Sequence, residues 1–361
     1  MGLRCYNSCY FFILKGVLWH YYTGACGYIG SHTARAFLEK TKENIIIVDD
    51  LSTGFLEHLK ALERYYPNRV VFIQANLNET HKLDAFLNKQ QLKDPIEAVL
   101  HFGAKISVEE STRLPLEYYT NNTLNTLELV KLCLKHAIKR FIFSSTAVVY
   151  GESSSSLNEE SPLNPINPYG ASKMMSERIL LDTSKIADFK CVILRYFNVA
   201  GACMHNDYTT PYTLGQRTLN ATHLIKIACE CAVGKRKKMG IFGTNYPTRD
   251  GTCIRDYIHV DDLANAHLAS YQTLLEKNKS EIYNVGYNQG HSVKEVIEKV
   301  KEISNNDFLV EILDKRQGDP ASLIANNTKI LQNTPFKPLY NNLDTIIKSA
   351  LDWEEHLLRF Q

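Results

Sequence analysis

The chain has 361 residues, 44% of them apolar and 22% charged, with a formal net charge of +2. This is an ordinary globular composition, long enough for two lobes, and the small net charge excludes an electrostatic footprint for nucleic acid. Nine cysteines are scattered as an odd set with no C-x-x-C pair, so neither a disulfide framework nor a zinc site is indicated and reduced cytoplasmic thiols are the default.

Cys9 to Trp19 is apolar apart from Lys15. It is too short to span a membrane and no A-x-A-like cleavage site follows, so no membrane association is expected. Residues 1–15 read as an extension of unknown role. Val17 to Tyr22 predicts a strand, followed by Thr23-Gly24-Ala25-Cys26-Gly27-Tyr28-Ile29-Gly30 and a helix through Ala34, Phe37 and Leu38. G-x-x-G-x-x-G between strand and helix allows a tight turn and brings a pyrophosphate onto the helix N-terminus. A second strand, Ile45 to Val48, ends in Asp49-Asp50. An acidic side chain about 20 residues beyond the glycines holds the adenosine ribose and repels a 2′-phosphate, which favours NAD over NADP. His20, inside the first strand, is expected at a strand edge or paired with a backbone group. An ordinary strand–turn–helix ending in an Asp turn remains the bland alternative.

Further strands are predicted at Val70 to Ile73, Ala98 to His101, Phe141 to Ser145 and Cys191 to Leu194, with helices around Leu83 to Leu92 and over Leu124 to Ile138. Near-continuous apolar strands alternating with helices imply a doubly wound parallel α/β sheet of the Rossmann type, with ligands at the strand C-terminal ends. Those ends carry Gly24, Asp49, Asn76, Phe102-Gly103-Ala104, Ser144-Ser145-Thr146 and Asn198. Ser153 to Ser156 reads as a mobile rim beside the crevice. After Asn198 the texture changes. Gly201 to Gln216 is polar and irregular. It is followed by a helix (Leu224 to Val233), a strand (Met239 to Phe242), a helix (Leu263 to Leu274), a strand (Ile282 to Val285) and a helix (Val293 to Ile303). A basic turn at Lys315-Arg316 and an amphipathic helix (Leu343 to Leu358) complete the chain. The expected division is an NAD-binding domain over 16–198 and a smaller α/β substrate domain over 199–361, with 255–275 packing back on the first.

Several features have bland readings. Lys235-Arg236-Lys237-Lys238 follows Gly234 and reads as a solvated turn. His32 is expected to bond at its helix start, and His101 to pack or bond locally. His259 with Asp261 and Asp262 resembles a metal trio, but it opens a helix, where capping is expected; no metal is expected.

Asn167-Pro168-Tyr169-Gly170-Ala171-Ser172-Lys173 predicts a helix start, with proline at the first helical position and Tyr169 and Lys173 one turn apart on one face. A phenol has a pKa near 10, and an ammonium one turn away favours its phenolate. Ionising it at neutral pH takes roughly 4 kcal/mol, more than one exposed charge supplies, so further positive charge such as an oxidised nicotinamide is required. A lone Tyr/Lys pair on a solvated helix is the competing reading; its company shifts the balance.

T-G-x-x-G-Y-I-G-S-H, the Asp after the second strand, S-S-T and Y-x-x-x-K together resemble the extended short-chain dehydrogenase/reductase family. Arg195-Tyr196-Phe197-Asn198, Asp250-Gly251-Thr252, Arg255-Asp256-Tyr257-Ile258-His259-Val260 and Arg316-Gln317-Gly318-Asp319 are similar to the UDP-glucose 4-epimerase branch of it. The resemblance implies NAD as cofactor, a UDP-hexose as substrate and a homodimer built on two helices per subunit, for which Leu124 to Ile138 and Met174 to Leu181 are candidates. It implies Tyr169 as the base that takes the O4 proton while C4 is transiently oxidised. Lys173 would bind the nicotinamide ribose, and Thr146 would bond the reacting hydroxyl. For the cofactor it implies Gly24, Gly27, Tyr28, Ile29, Gly30, Asp49, Asp50, Asn76, Leu77, Phe102, Gly103, Ala104, Asn121, Ser144, Tyr169, Lys173 and Tyr196. For the substrate it implies Thr146, Tyr169, Phe197, His223 and Leu224, with Asn198, Arg255 and Arg316 at the diphosphate, Phe242 near the uracil and Asp319 near the ribose.

The sequence departs from the family at Asn76-Leu77, where Asp-Ile is common, and at Thr53-Gly54. Leu323 stands at a position where smaller residues accompany tolerance of N-acetylated sugars. A nucleotide-sugar 4,6-dehydratase usually needs Asp-Glu after the threonine; here those residues are Ala147 and Val148, which cannot move a proton. A UDP-uronate or UDP-pentose 4-epimerase stays open, as does a non-catalytic NAD-sensing protein.

Overall fold

The structure, a computed structural model, describes residues 18–89, 95–151, 156–219, 221–316 and 319–360. The expected extension over 1–15, Val17, Leu92, Ser153 to Ser155 and Gln317-Gly318 lie outside the described residues.

The chain begins β1 (Trp19–Thr23), α1 (Tyr28–Lys40), β2 (Asn44–Asp49), α2 (Leu56–Tyr65), β3 (Val70–Gln74), α3 (Thr80–Asn88) and β4 (Ile96–His101). Short helices α4 (Val108–Arg113) and α5 (Pro115–Tyr118), a π-helical turn over Tyr119–Leu124 and α6 (Asn125–Lys135) lead to β5 (Arg140–Thr146). A 3-10 turn, Ala147–Tyr150, then precedes α7 (Pro168–Ile186), β6 (Lys190–Tyr196) and β7 (Asn198–Ala200). The remainder comprises α8 (Leu224–Ala232), β8 (Lys238–Phe242), β9 (Ile254–Arg255), β10 (Tyr257–His259), α9 (Val260–Lys277) and β11 (Glu281–Val285). It ends with β12 (His291–Ser292), α10 (Val293–Ser304), β13 (Leu309–Leu313), β14 (Ser322–Leu323), α11 (Thr328–Asn333) and α12 (Leu343–Arg359).

Seven strands form one sheet in the order β11-β6-β5-β4-β1-β2-β3, and every neighbouring pair is parallel. Parallel strands need covered faces, and the sequence supplies apolar side chains to both. Ile45 and Ile47 of β2, Ile142 of β5 and Val192 and Leu194 of β6 enter one core with α1, α2 and α9. Their neighbours Ile46, Val48, Phe141, Phe143, Cys191 and Ile193 enter the other, with α3, α6 and α7. The strand's period of two thus splits each run between two layers. The seventh strand comes from beyond residue 198, and α9 packs against α1.

Some local expectations need correction. His20 is neither at an edge nor on a backbone group: β1 lies between β4 and β2, and its ring Nε2 is 2.9 Å from the Tyr271 hydroxyl of α9. Burial lowers its pKa to about 3, so the ring is neutral. His101 packs as expected, buried against Phe141 and Phe143, but its bonds are not local: Nδ1 lies 2.6 Å from Thr23 Oγ1 and Nε2 lies 3.1 Å from Thr126 Oγ1. The helix expected from Leu124 begins at Asn125, because a π-helical turn precedes it. The basic run is a surface turn, with Lys237 and Lys238 exposed, but its charges are largely paired: Lys235 Nζ is 2.9 Å from Glu354 Oε2, Arg236 pairs with Glu230, and Lys238 Nζ is 2.8 Å from Glu311 Oε1. His32 sits in α1 but reaches across to Asp261 Oδ1 of α9 at 2.8 Å. His259 caps α9, its ring accepting from the Asp261 N–H. Among the described residues no helix is long and apolar enough to cross a membrane.

Candidate functional site

The glycine loop is shaped by contact. Gly24 has φ +72°, and a Cβ there would stand 2.5 Å from the Gly103 nitrogen; a Cβ on Gly30 would stand 2.7 Å from Ala25 Cα. Gly24→Ala therefore forces a left-handed alanine into the backbone of the loop that follows β4. The expected result is a melting point lower by several degrees and lost NAD retention, read by thermal melts and by NAD released on denaturation; strain of this kind costs about 1–3 kcal/mol. At Gly27 the N-cap of α1 has no side-chain cap, and its first turn carries no acid. A helix N-terminus left this way fits a pyrophosphate.

Asp49 holds the loop's shape. It accepts the Cys26 and Leu51 N–H groups, each at 2.9 Å, and burial raises its carboxyl to about 6 against those bonds. Asp50 accepts from the Asn76 amide at 2.6 Å, and Leu77 lies against Gly103. Phe102 stacks on Tyr22 at 6.2 Å, while Tyr28 donates to the Gly201 carbonyl at 2.6 Å. Ile29, in the first turn of α1, and Ala104, on the loop after β4, are partly buried.

Asn167 begins α7 by accepting the Gly170 N–H, with Pro168 in the first turn. Tyr169 and Lys173 share the helix face turned to the sheet and are 9% and 3% exposed. Lys173 Nζ donates to the Ser144 carbonyl at 2.8 Å and lies 4.8 Å from the Phe143 ring centroid. Burial lowers Lys173 to about 7, opposed by the Glu177 carboxylate. Burial also raises Tyr169 to about 12, and a hydrogen bond with Thr146 pulls it the other way. The protein alone thus keeps the phenol protonated at neutral pH, and its ionisation needs added positive charge in the crevice.

Asn121 and its neighbour Asn122 lie in the π-helical turn. Asn121 donates to Asn122 Oδ1 at 3.1 Å. Asn122 also bonds the Lys105 N–H and carbonyl and the Ser172 hydroxyl, and so fixes the β4 loop to α7. Nothing in Asn121-Asn122-Thr123 separates these two side chains by eye; only burial does. Tyr196 meets His267 of α9 at 2.6 Å, and Phe197 packs with Ala147, Tyr150 and Ala325.

The substrate candidates fall into two groups. Asn198, His223 and Leu224 line one cavity with Gln216 and Lys226. Gln216, which ends the polar, irregular stretch from Gly201, donates to His223 Nδ1 at 2.9 Å. In the second group Arg255 pairs with Asp319, and the Arg316 guanidinium lies 3.6 Å from the Phe242 ring centroid. The loop over 201–216 is tied to the glycine loop by His58, whose ring nitrogens are 2.9 Å from the Cys26 carbonyl and 3.0 Å from the Gly215 carbonyl.

Residues 21–286 match the model of the NAD dependent epimerase/dehydratase family. The chain belongs to this family. It is 42% identical over 336 residues to a UDP-glucose 4-epimerase of Azospirillum brasilense, covering 93% of this chain and 91% of that one. A solved UDP-Glc/GlcNAc 4-epimerase from Campylobacter jejuni is 48% identical, covers 93% of this chain and 99% of its own, and superposes with a TM-score of 0.79. A UDP-glucose 4-epimerase from Bifidobacterium longum, solved with NAD+ and UDP, is 31% identical with a TM-score of 0.84, covering 93% and 98%. The family is NAD dependent, and NAD is the cofactor of this chain.

Proposed function

We propose that the protein interconverts UDP-glucose and UDP-galactose by transient oxidation at sugar C4. The observation that carries this reading is the buried Tyr169, one turn from Lys173, at the sheet end that also holds Thr146 and the glycine loop. Bound NAD supplies the hydride acceptor and the positive charge that the phenol lacks. Tyr169 takes the O4 proton and later returns it, Thr146 orients the hydroxyl, and Lys173 holds the cofactor ribose and favours the phenolate. Arg255 and Arg316 hold the diphosphate, since a guanidinium is always charged and can bind in a bidentate way. Asn198, His223 and Leu224 line its path, Phe242 faces the uracil and Asp319 the ribose. Anchoring at the diphosphate leaves the hexose free to turn and offer either face of C4. Ala147 and Val148, beside the threonine, give a dehydratase no acid or base.

Purified protein with no added NAD, given UDP-galactose, should form UDP-glucose; no conversion, with or without NAD, would refute the assignment. Arg316→Ala should raise KM for the UDP-sugar about 10–100-fold with a smaller change in kcat, because a charge-assisted contact to the diphosphate contributes roughly 1.5–3 kcal/mol. Steady-state kinetics on both sugars checks this. Leu323, half-buried in β14, motivates the further proposal that UDP-N-acetylglucosamine is also accepted. Null turnover of it beside brisk turnover of UDP-galactose would remove that proposal.

We also propose a cytoplasmic homodimer. Val108, Leu114, Leu116, Leu124 and Met175 are exposed on neighbouring α4, α5, the π-helical turn and α7, and Leu116 is 77% exposed. An apolar face of this kind suits a second copy. Leu116→Lys should shift the protein toward monomer in light scattering, and an unchanged mass would count against this face. The seven described cysteines are unpaired, as a reducing compartment requires.

A further inference from the structure

Behind the catalytic face of α7 lies a buried charge pair that touches none of the candidate ligand contacts. Glu177, one turn beyond Lys173, and Arg195 of β6 are 1% and 2% exposed. Arg195 grips the carboxylate through Nε, at 3.1 and 3.2 Å, and through Nη2 at 2.7 Å. The Ser145 hydroxyl, between Ser144 and Thr146 on β5, donates to the same carboxylate.

The far side of the guanidinium is equally committed. Nη1 donates to the Tyr150 hydroxyl at 2.9 Å and to the Glu159 carbonyl at 3.3 Å. Tyr150 in turn donates to Asn284 Oδ1 of β11 at 2.6 Å, and the Asn284 amide donates to the Leu157 carbonyl at 2.8 Å. Leu157 exchanges backbone bonds with Ile324 and Asn326, the segment after β14. One connected polar network therefore joins the catalytic helix to β5, β6, β11 and the segment that follows β14.

A buried ion pair adds little net stability over apolar residues of the same size, so stability alone is weak reason for it. What the bidentate grip imposes is register. The charge also matters. On its own helix Lys173 has Tyr169 and Glu177. From β4 it faces His101, which burial keeps neutral. From β5 come the Ser144 carbonyl and Phe143 ring, and from β6 Tyr196 and, behind the carboxylate, Arg195. Glu177 is the carboxylate of this set.

We propose that Glu177 and Arg195 are positioning residues for the reaction: their grip, with Ser145, sets the register of α7 on β6 and β5, and the Glu177 carboxylate sustains the charge of Lys173. This rests on Tyr169 and Lys173 being the catalytic pair. The test is the pH dependence of kcat and KM for wild type, Glu177→Gln and Arg195→Lys, with melting curves and NAD content as controls. Glu177→Gln keeps shape but removes charge, so Lys173 should lose its proton more readily. The limb on which kcat falls as Lys173 deprotonates should move to lower pH by about one unit. Arg195→Lys keeps charge but loses the fork, so kcat should fall about tenfold or more, with KM within about threefold and the limb in place. If Arg195→Lys does not fold, Glu177→Gln decides alone. A Glu177→Gln profile that superimposes on an active wild type overturns this proposal only. A wild type with no epimerase activity overturns the catalytic reading beneath it.

Discussion

Tyr169→Phe should lower kcat about 10³–10⁴-fold while leaving NAD content, KM and melting point close to wild type. The substitution removes one oxygen from a side chain that is already 9% exposed and packed edge-on against Tyr118 at 6.4 Å. The ring keeps its place, and only the group that accepts the O4 proton is lost. General acid–base groups of this kind contribute about 10²–10⁴-fold, and a thousandfold loss corresponds to about 4 kcal/mol of barrier. A coupled assay for UDP-glucose formed from UDP-galactose reads the effect. A loss below tenfold would mean that another group moves the proton. A non-catalytic NAD-binding protein would show no change in its action.

Lys173→Met should cost about 10²–10³-fold in kcat and displace the pH profile. Tyr169 is raised to about 12 by burial, and Lys173 lowered to about 7 by burial with Glu177 opposing. The phenol therefore begins above its ordinary value, and every cation beside it matters. Protonated Lys173 favours the phenolate. Methionine removes that support at every pH, so the rising limb of kcat, where Tyr169 loses its proton, must move to higher pH. Each unit of displacement is about 1.4 kcal/mol. A lower rate with an unmoved limb would assign Lys173 to cofactor binding alone.

The parts of this molecule written in local pattern are the ones a reader of the sequence can place. Ile45 to Val48 is a buried β-branched run, and it forms a strand buried on both faces. Pro168 after a capping Asn167 starts α7, and a spacing of four sets Tyr169 over Lys173. The partners of buried polar groups are not written this way. His20 finds Tyr271 from 251 positions away, and His101 finds Thr23 from 78. Both are decided by which helix lies on which face of the sheet. Arg195 sits inside a stretch whose resemblance pointed to ligand contacts at Tyr196, Phe197 and Asn198. Its own side chain turns to Glu177 because neighbouring residues on a strand face opposite ways. The π-helical turn over Tyr119–Leu124 likewise leaves no mark in the apolar periodicity, yet it aims Asn122 at the β4 loop.

The reaction is tested most directly by the fate of the hydrogen on C4. UDP-galactose deuterated at C4 should give UDP-glucose that keeps its deuterium at C4, with a slower turnover than the unlabelled sugar. Deuterium washed out into water, or conversion without any rate difference together with label found elsewhere on the ring, would contradict transient oxidation at that carbon.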